Sequence, residues 1–222
     1  HQSIFVKNQS HPLTSKSLLD AQNQEVHSPL LRHYLYKFEP YQTSLYFQQH
    51  GFHPILQNSK KTNGFLPNLH GVLSGSPQLF EAYQTLHKLF SNSSFNAEEL
   101  TVVWQTINVE HECHYCVPAH TGIAKMMKVD DTITEALRNK MAMPSEKLQV
   151  LHDTTLAVVR KRGNVSEGDL NAFYAAGYTE RNFLDIILGT AQKVISNYTN
   201  HVAQTPVDKA FEAFAWEAEA TV

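Results

Sequence analysis

Residues 108–120 of this chain read NVEHECHYCVPAH, and this stretch restricts the fold and the chemistry more than any other. On an α-helix, Cys113 and Cys116 would be three positions apart, and Cys116 and His120 four positions apart. Residues with these separations share one face of a helix. The stretch therefore predicts two thiols and an imidazole side by side on a helical scaffold.

Pro118 indicates where this helix begins. Proline is tolerated only in the first turn of a helix, where its missing N–H group is not needed. We therefore expect the helix to begin near Cys116 and to end near Met127, with Cys113 in the preceding turn. Cys116 would then lie at the positive end of the helix dipole, beside unpaired N–H groups that lower a thiol pKa from about 8.5 toward neutrality. His120, one turn further on, would accept the thiol proton.

A pair of thiols in this arrangement supports a redox cycle. The thiolate attacks a peroxide O–O bond and becomes a sulfenic acid, the second thiol condenses with it to a disulfide, and an external dithiol restores the pair. The same pair supports disulfide exchange without any peroxide, and the spacing does not separate the two activities.

A metal site is the third interpretation, because zinc takes cysteine and histidine ligands. Further ligand types crowd the same segment, namely Glu110, Glu112, His111 and His114. Structural zinc requires four ligands in one shell, however, and on a helix His111 and His114 would point away from the cysteine face. The chain has no second cysteine pair. We therefore expect neither a metal nor another cofactor, and a metal-binding or purely structural oligomer remains the alternative to a redox enzyme.

The composition excludes several classes of protein. The 18 basic residues are scattered and the formal charge is −3, so nucleic acid is not an expected partner. Apolar runs are far shorter than the roughly 20 residues of a membrane span. No apolar segment follows a basic start, so a signal peptide is not predicted and we expect a cytoplasmic protein. The two cysteines lie too close together to cross-link a fold.

Residues typical of helix starts and ends predict an all-α protein. Capping residues and first-turn prolines recur from residue 57 on, at Ser76-Pro77, Asn96, Asp130 or Asp131, Ser145, Ser166, Thr179 and Thr205-Pro206. The helix from Ser145 is expected to end at Gly163. No sustained alternation predicts a strand. We assign residues 1–56, with one helix over Ser15–Val26, to an N-terminal extension and residues 57–222 to an all-helical catalytic domain.

The stretch NVEHECHYCVPAH resembles the core motif of the carboxymuconolactone decarboxylase-like family, in its AhpD-type alkylhydroperoxidase branch. Three further segments agree with it: NGFLPNLHGVL at 63–73, AFYAAGYTERN at 172–182 and NYTNHVAQTPVDKAFEAFAW at 197–216. The resemblance covers roughly residues 57–216. It implies an AhpD-like helical bundle that forms trimers or hexamers and reduces hydroperoxides through its two cysteines, with an antioxidant role.

The resemblance also implies roles for single residues. Cys116 would react with the peroxide, Cys113 would be the more exposed resolving thiol, and His120 would be the relay histidine. Two positions depart from the family motif, because Thr101 stands where the relay glutamate is expected and Tyr115 where a histidine precedes the second cysteine.

Glu110 is the nearest acid that could replace the missing carboxylate, and Glu99 is a weaker candidate. The candidate catalytic residues are therefore Cys113, Cys116, His120, Glu110 and Tyr115. The expected partners are a small hydroperoxide, an external dithiol reductant and further copies of the chain. The apolar run Ala210, Phe211, Phe214, Ala215 and Trp216 also predicts self-association.

A polar cluster interrupts the last long helix, at Asn197, Tyr198, Asn200 and His201. It indicates either a buried hydrogen-bond network or subunit contact, or a polar wall of the substrate pocket.

Overall fold

The computed structural model of the chain describes residues 54–218, and the regular elements in this range are helices without any β-strand. They are α1 (Pro54–Asn63), α2 (Asn68–Leu73), α3 (Pro77–Ser91), α4 (Ala97–Glu110), α5 (Cys116–Met126), α6 (Asp131–Arg138), α7 (Glu146–Arg160), α8 (Glu167–Ala175), α9 (Glu180–Ala203) and a 3₁₀ helix, Lys209–Phe214. The all-α class is confirmed.

Most helices begin where their capping residues predict. The Asn96 side chain accepts a hydrogen bond from the backbone of Glu99 at 2.9 Å, and the Glu99 carboxylate accepts one from the backbone of Asn96 at 3.0 Å. This reciprocal pair satisfies two N–H groups that the first turn of α4 leaves free. The same capping box forms at Ser166 with Asp169 and at Thr179 with Asn182. Asp130 and Ser145 cap α6 and α7 with one side-chain bond each.

Helix α4 is the centre of the domain. Every residue from Glu99 to Val109 is buried, and the helix packs against α5, α6, α7 and α9. One of its faces joins an apolar cluster with Phe90 of α3 and Ile186 of α9. A Cβ atom at Gly189 would lie only 2.7 Å from the Phe90 ring, so this glycine allows α9 to approach α3 closely.

A second apolar cluster contains both cysteines. Its members come from α1, α2, α3, α5 and the turn before α5, and they are Leu56, Leu69, Leu73, Phe80, Tyr83, Cys113, Tyr115, Cys116 and Ala119. The N-terminal end of α5 is therefore enclosed by helices from the start of the described range.

The prediction of a C-terminal helix that begins at Thr205-Pro206 is wrong. Gln204 ends α9 in a left-handed conformation with φ of 48°, and the next element is the 3₁₀ helix that begins at Lys209. The intervening loop is fixed by tertiary contacts, because the Asp208 carboxylate accepts hydrogen bonds from the backbone of Asn68 and the hydroxyl of Tyr115. The predicted end of α7 at Gly163 is also late, since the helix stops at Arg160.

The proposed boundary at residue 57 falls inside α1, and Leu56 is fully buried in the second cluster. The predicted helix Ser15–Val26 and nearly all of the proposed extension lie outside the described residues, so the division into 1–56 and 57–222 stays a prediction. Across residues 54–218, none of the helices combines the length and the apolar character needed to cross a membrane.

Candidate active site

Helix α5 begins at Cys116, as Pro118 predicts. Cys113 lies in the preceding turn, where the backbone N–H of Cys116 donates a hydrogen bond to the Cys113 sulfur at 3.3 Å. The chain reverses at Glu112, whose φ of 52° is unusual for a residue other than glycine. This turn separates α4 from α5 and brings the two sulfurs to the start of α5.

Both thiols are buried. Cys113 is 0% exposed and Cys116 is 2% exposed, so the expectation that Cys113 is the more exposed thiol is wrong. The two differ instead in what they face. Cys116 lines a cavity of about 930 Å³, and Cys113 does not. A small molecule in this cavity therefore meets Cys116 first.

The cavity is lined by both polar and apolar side chains. The polar lining includes Cys116, His120, Lys193, His70, His87 and Tyr83. Apolar walls come from Phe65, Leu69, Ala119, Ile123, Met126, Phe211 and Phe214. Phe211 packs so closely on α5 that a Cβ atom at Gly122 would lie 2.6 Å from its ring. The 3₁₀ helix therefore forms one wall, and Gly122 is the residue that lets it approach.

Hydrogen bonds and charge favour the thiolate form of Cys116. The Asn200 amide donates to the Cys116 sulfur at 3.3 Å. Burial raises the pKa of Cys116, but the hydrogen bond from Cys113 and the charge of Lys193 outweigh it, and with the Asn200 amide they bring the pKa down to about 5. The pKa of Cys113 is raised, first by its hydrogen bond to Cys116 and then by burial. Cys116 is therefore the thiol that ionises at neutral pH.

The sequence predicts a contact between His120 and Cys116, and the structure does not contain it. His120 Nε2 lies 2.9 Å from Lys193 Nζ, its ring packs on Trp104 at 4.9 Å, and no hydrogen bond joins it to either cysteine. Burial and the neighbouring charge of Lys193 lower the pKa of His120 well below its usual value. The imidazole is therefore neutral, and the proton-acceptor contact predicted between His120 and Cys116 is wrong.

Lys193 is the site residue that sequence reasoning missed. It lies on α9, far along the chain from the cysteine motif, and is 0% exposed. A signal was present, because α9 buries residues at helical spacing, Ile186, Gly189, Lys193, Asn197 and Asn200 among them. A lysine on the buried stripe of a helix is unusual, since this residue type is almost never fully buried without a partner.

A buried network of amides surrounds the motif. Gln105 accepts from Asn108, whose carbonyl accepts from Asn197, and the Asn197 carbonyl lies 2.9 Å from His111 Nδ1. Of the predicted polar cluster on α9, Asn197 and Asn200 are fully buried, whereas Tyr198 is 54% exposed. The buried-network interpretation therefore fits the two asparagines.

Glu110 is not near His120. Its carboxylate accepts two hydrogen bonds from Arg160, at 2.7 and 2.9 Å, on the other side of α4. Thr101 donates to a backbone carbonyl of its own helix, and Glu99 caps α4 and pairs with Lys147. Within residues 54–218 no carboxylate hydrogen-bonds to His120, so the contact expected of Glu110 is wrong.

Tyr115 lines the cavity beside Cys116 and fixes the loop that follows α9. Its hydroxyl donates to the Asp208 carboxylate and accepts from the backbone of Leu69 at 3.3 Å. Burial and the charge of Asp208 raise its pKa, so the phenol stays protonated.

The remaining histidines of the motif have other partners. His111 contacts Asn197, and His114 lies 3.0 Å from the backbone carbonyl of Thr205. No group of three or more His, Cys, Asp or Glu side chains in the described range is placed to hold a metal ion.

No family model and no curated protein sequence matches the chain. Solved structures do match. The AhpD core of an uncharacterized peroxidase-related protein from Ralstonia eutropha JMP134 is 22% identical, with a TM-score of 0.64 over 70% of this chain and 84% of that one. A peroxidase-related protein from Silicibacter sp. TM1040 is 17% identical, with a TM-score of 0.63 over the same shares.

A third match is a variant of the debrominase Bmp8 in complex with 2,3,4-tribromopyrrole. It is 17% identical, with a TM-score of 0.61 over 72% of this chain and 87% of that one. The matched part of this chain therefore has the AhpD-like helical fold, as the resemblance of the motif implies.

Proposed function

We propose that this protein is a thiol peroxidase that reduces organic hydroperoxides, with Cys116 as the attacking thiolate and Cys113 as the resolving thiol. The observation that carries the proposal is the position of Cys116. Its sulfur lines a cavity of about 930 Å³ and has a lowered pKa, and its backbone N–H donates a hydrogen bond to the sulfur of a second cysteine, Cys113. Low-pKa thiols beside a resolving cysteine are the groups that peroxides oxidise.

The reaction follows from this arrangement. The Cys116 thiolate attacks one peroxide oxygen, the O–O bond breaks, and the alkoxide takes up a proton and leaves as the alcohol. Cys116 is then a sulfenic acid, which the Cys113 thiol attacks to give a disulfide and water. An external dithiol reduces the disulfide through a mixed disulfide. Tyr115 contributes by holding the cavity wall through Asp208, and His120 by its contact with Lys193.

The burial of both sulfurs argues against disulfide exchange with a protein substrate. Exchange requires a thiolate to reach a sulfur of the partner disulfide in line. Cys113 is 0% and Cys116 2% exposed, and only Cys116 of the two lines the cavity, so a reactant must be small enough to enter the cavity and meets Cys116 there. The same geometry suits a small hydroperoxide and a small dithiol reductant.

A second candidate is thiol-dependent removal of a halogen from an aromatic ring. The structural likeness to a debrominase with a brominated pyrrole suggests it, and the size and aromatic walls of the cavity favour it, with Phe65, Tyr83, Phe211 and Phe214 in the lining. Two thiols that end as a disulfide supply the two electrons that replace bromine with hydrogen, and bromide and a proton are released.

One assay decides between these activities. The reduced protein is mixed in turn with hydrogen peroxide, cumene hydroperoxide and 2,3,4-tribromopyrrole, with dithiothreitol or glutathione as electron donor. We expect fast turnover of cumene hydroperoxide and an intact mass lower by about two hydrogens after a single turnover without donor. Turnover of the pyrrole alone would favour the second candidate, and a mass that never changes would rule out both.

Self-association stays a prediction, since it depends on the resemblance and on the apolar C-terminal run. Sedimentation velocity at micromolar concentration tests it. A trimer or hexamer is expected, and a monomer would contradict it.

A further inference from the structure

Lys193 is a buried cation without a carboxylate partner in the described range. Its side chain is 0% exposed and lines the same cavity as Cys116. Its one hydrogen-bond partner in that range is His120 Nε2, at 2.9 Å. By contrast, a carboxylate pairs with each of Lys125, Lys147, Arg160, Lys161 and Arg181.

The contact with His120 fixes which group donates. An ammonium group has three N–H donors and no acceptor, so His120 Nε2 is the acceptor and its proton lies on Nδ1. The neutral imidazole therefore orients the Lys193 ammonium but supplies no negative charge. Taking a charge out of water costs several kcal/mol unless an opposite charge accompanies it. Within the described residues, the Cys116 thiolate on the same cavity is the anion available to Lys193.

We propose that Lys193 holds Cys116 as a thiolate and gives its proton to the alkoxide when the O–O bond breaks. The second half of this assignment depends on the proposed peroxidase activity, and the first half does not.

The charges balance at each step. Before the reaction, the Lys193 ammonium and the Cys116 thiolate share one cavity as a pair of opposite charges. After the attack, Cys116 is a neutral sulfenic acid, the alkoxide has become an alcohol with the proton from Lys193, and Lys193 is a neutral amine. When the external dithiol later releases Cys116 from the disulfide, the thiol proton returns to Lys193. No unpaired charge is buried at any stage, which is the condition that burial imposes.

The neighbouring groups leave Cys116 as the group that titrates near neutral pH. The other titratable side chains of the cavity and of the adjoining turn are His70, Tyr83, His87 and Lys88 from α2 and α3, Cys113 and Tyr115 from the turn before α5, and His120 and Lys125 from α5. Burial lowers the pKa of His70 and of His87 to about 4, and it raises the pKa of Tyr83. A pH profile between 5 and 9 therefore reports on the sulfur.

The first arm of the test measures alkylation of Cys116 by iodoacetamide against pH, in a Cys113→Ser background so that a single thiol reacts. Lys193→Met should raise the midpoint of the alkylation profile by about one to three pH units. At a pH below both midpoints, the thiolate fraction then falls about 10- to 1,000-fold. Lys193→Arg keeps the charge and should retain the low midpoint. Lys161→Met, at an exposed lysine paired with Asp169, is the control and should leave the midpoint unchanged.

The second arm measures the rate of the first peroxide turnover in the same proteins. A guanidinium does not give up its proton. Lys193→Arg should therefore react with cumene hydroperoxide at least about 100-fold more slowly than the parent, the usual scale of proton-transfer catalysis, although its thiolate fraction is unchanged.

The two arms fail separately. A Lys193→Met profile that matches the parent overturns the thiolate assignment, whether or not the protein is a peroxidase. A parental peroxide rate in Lys193→Arg overturns the proton-donor assignment alone. If no peroxide reacts with the parent, the proposed function and the donor assignment fail together while the alkylation arm still decides the first half. Circular dichroism confirms folding, and Lys193→Gln replaces any variant that does not fold.

Discussion

The domain has two interiors of opposite character, and helices α4 and α9 contribute to both. Around Phe90, Val103 and Ile186 the interior is apolar and filled with aliphatic and aromatic side chains. Around Cys116 the same helices bury amides and a lysine, among them Gln105, Asn108, Gln192, Lys193, Asn197 and Asn200.

The two interiors differ in what they contribute. Buried apolar surface stabilises a fold at about 25 cal/mol per Å², whereas buried polar groups cost free energy unless they are hydrogen-bonded. The polar interior also keeps atoms without partners in the described range, at His120 Nδ1, Gln192 Nε2 and Asn200 Oδ1. We therefore expect the apolar interior to hold the fold together and, under the proposed function, the polar interior to serve the reactivity of Cys116.

The largest expected effect concerns the two cysteines themselves. Cys116→Ser should lower the rate of reaction with cumene hydroperoxide by more than about 10³-fold, since it removes the attacking group. Cys113→Ser should still react once and accumulate a sulfenic acid on Cys116 that dimedone traps. Fast peroxide consumption in Cys116→Ser together with its loss in Cys113→Ser would reverse the roles.

A matched pair of alanine substitutions tests the comparison directly. Ile186→Ala, in the apolar interior, should lower the free energy of unfolding by about 2–5 kcal/mol and leave the alkylation profile of Cys116 unchanged. Asn200→Ala removes the amide that donates to the Cys116 sulfur. It should lower stability by about 1–3 kcal/mol and shift the alkylation profile to higher pH. If both variants shift the alkylation profile of Cys116 equally, the distinction between the two interiors is wrong.

The pH dependence of stability should come from the polar interior. Burial lowers the pKa of His70 and of His87 from 6.5 to about 4, so the unfolded chain binds more protons between these values. The stability gained by keeping both imidazoles neutral is complete above pH 6.5 and is lost as the pH falls toward 4. Urea unfolding should show a loss on the order of 2 kcal/mol per histidine over this range. His87→Gln should reduce the slope, and an unchanged slope would refute the assignment.

The smallest effect is expected at Glu110. The carboxylate pairs with Arg160, whose side chain is 60% exposed, and exposed ion pairs contribute about 0–1 kcal/mol. Glu110→Gln should therefore change the free energy of unfolding by less than about 1 kcal/mol and leave both the alkylation and the peroxide rates unchanged. A slowed peroxide reaction would restore Glu110 to the site.

Helix starts were the part of the fold that sequence predicted best, because capping is local chemistry. Asn96, Ser166 and Thr179 cap their helices as predicted, and in the structure each forms a capping box with the residue three positions on. The helix predicted after α9 does not form, because tertiary contacts determine that segment. A capping pattern at Thr205-Pro206 is overridden by the contacts of Asp208 with Asn68 and Tyr115, which lie far away in sequence.

The candidate site divides in the same way. Pro118 predicts the start of α5 and hence the position of Cys113 in the turn before it. Glu110 was chosen because it is close to the motif in sequence, but the turn at Glu112 separates it from Cys113, and its carboxylate pairs with Arg160. Lys193 comes from a helix that packs against the motif only after folding, so a local pattern around the cysteines does not contain it.

The 3₁₀ helix that walls the cavity is attached at its two ends. Asp208 accepts from Tyr115 before it, and Arg138 donates to the carbonyls of Phe214 and Ala215 at 3.0 Å after it. None of its residues is buried in the core of the domain. Under the proposed function, the choice of substrate would be separated from the reactive centre. Substitutions along this short segment would reshape one wall of the cavity and leave the two cysteines unchanged, which would give such a scaffold an easy route to new substrates.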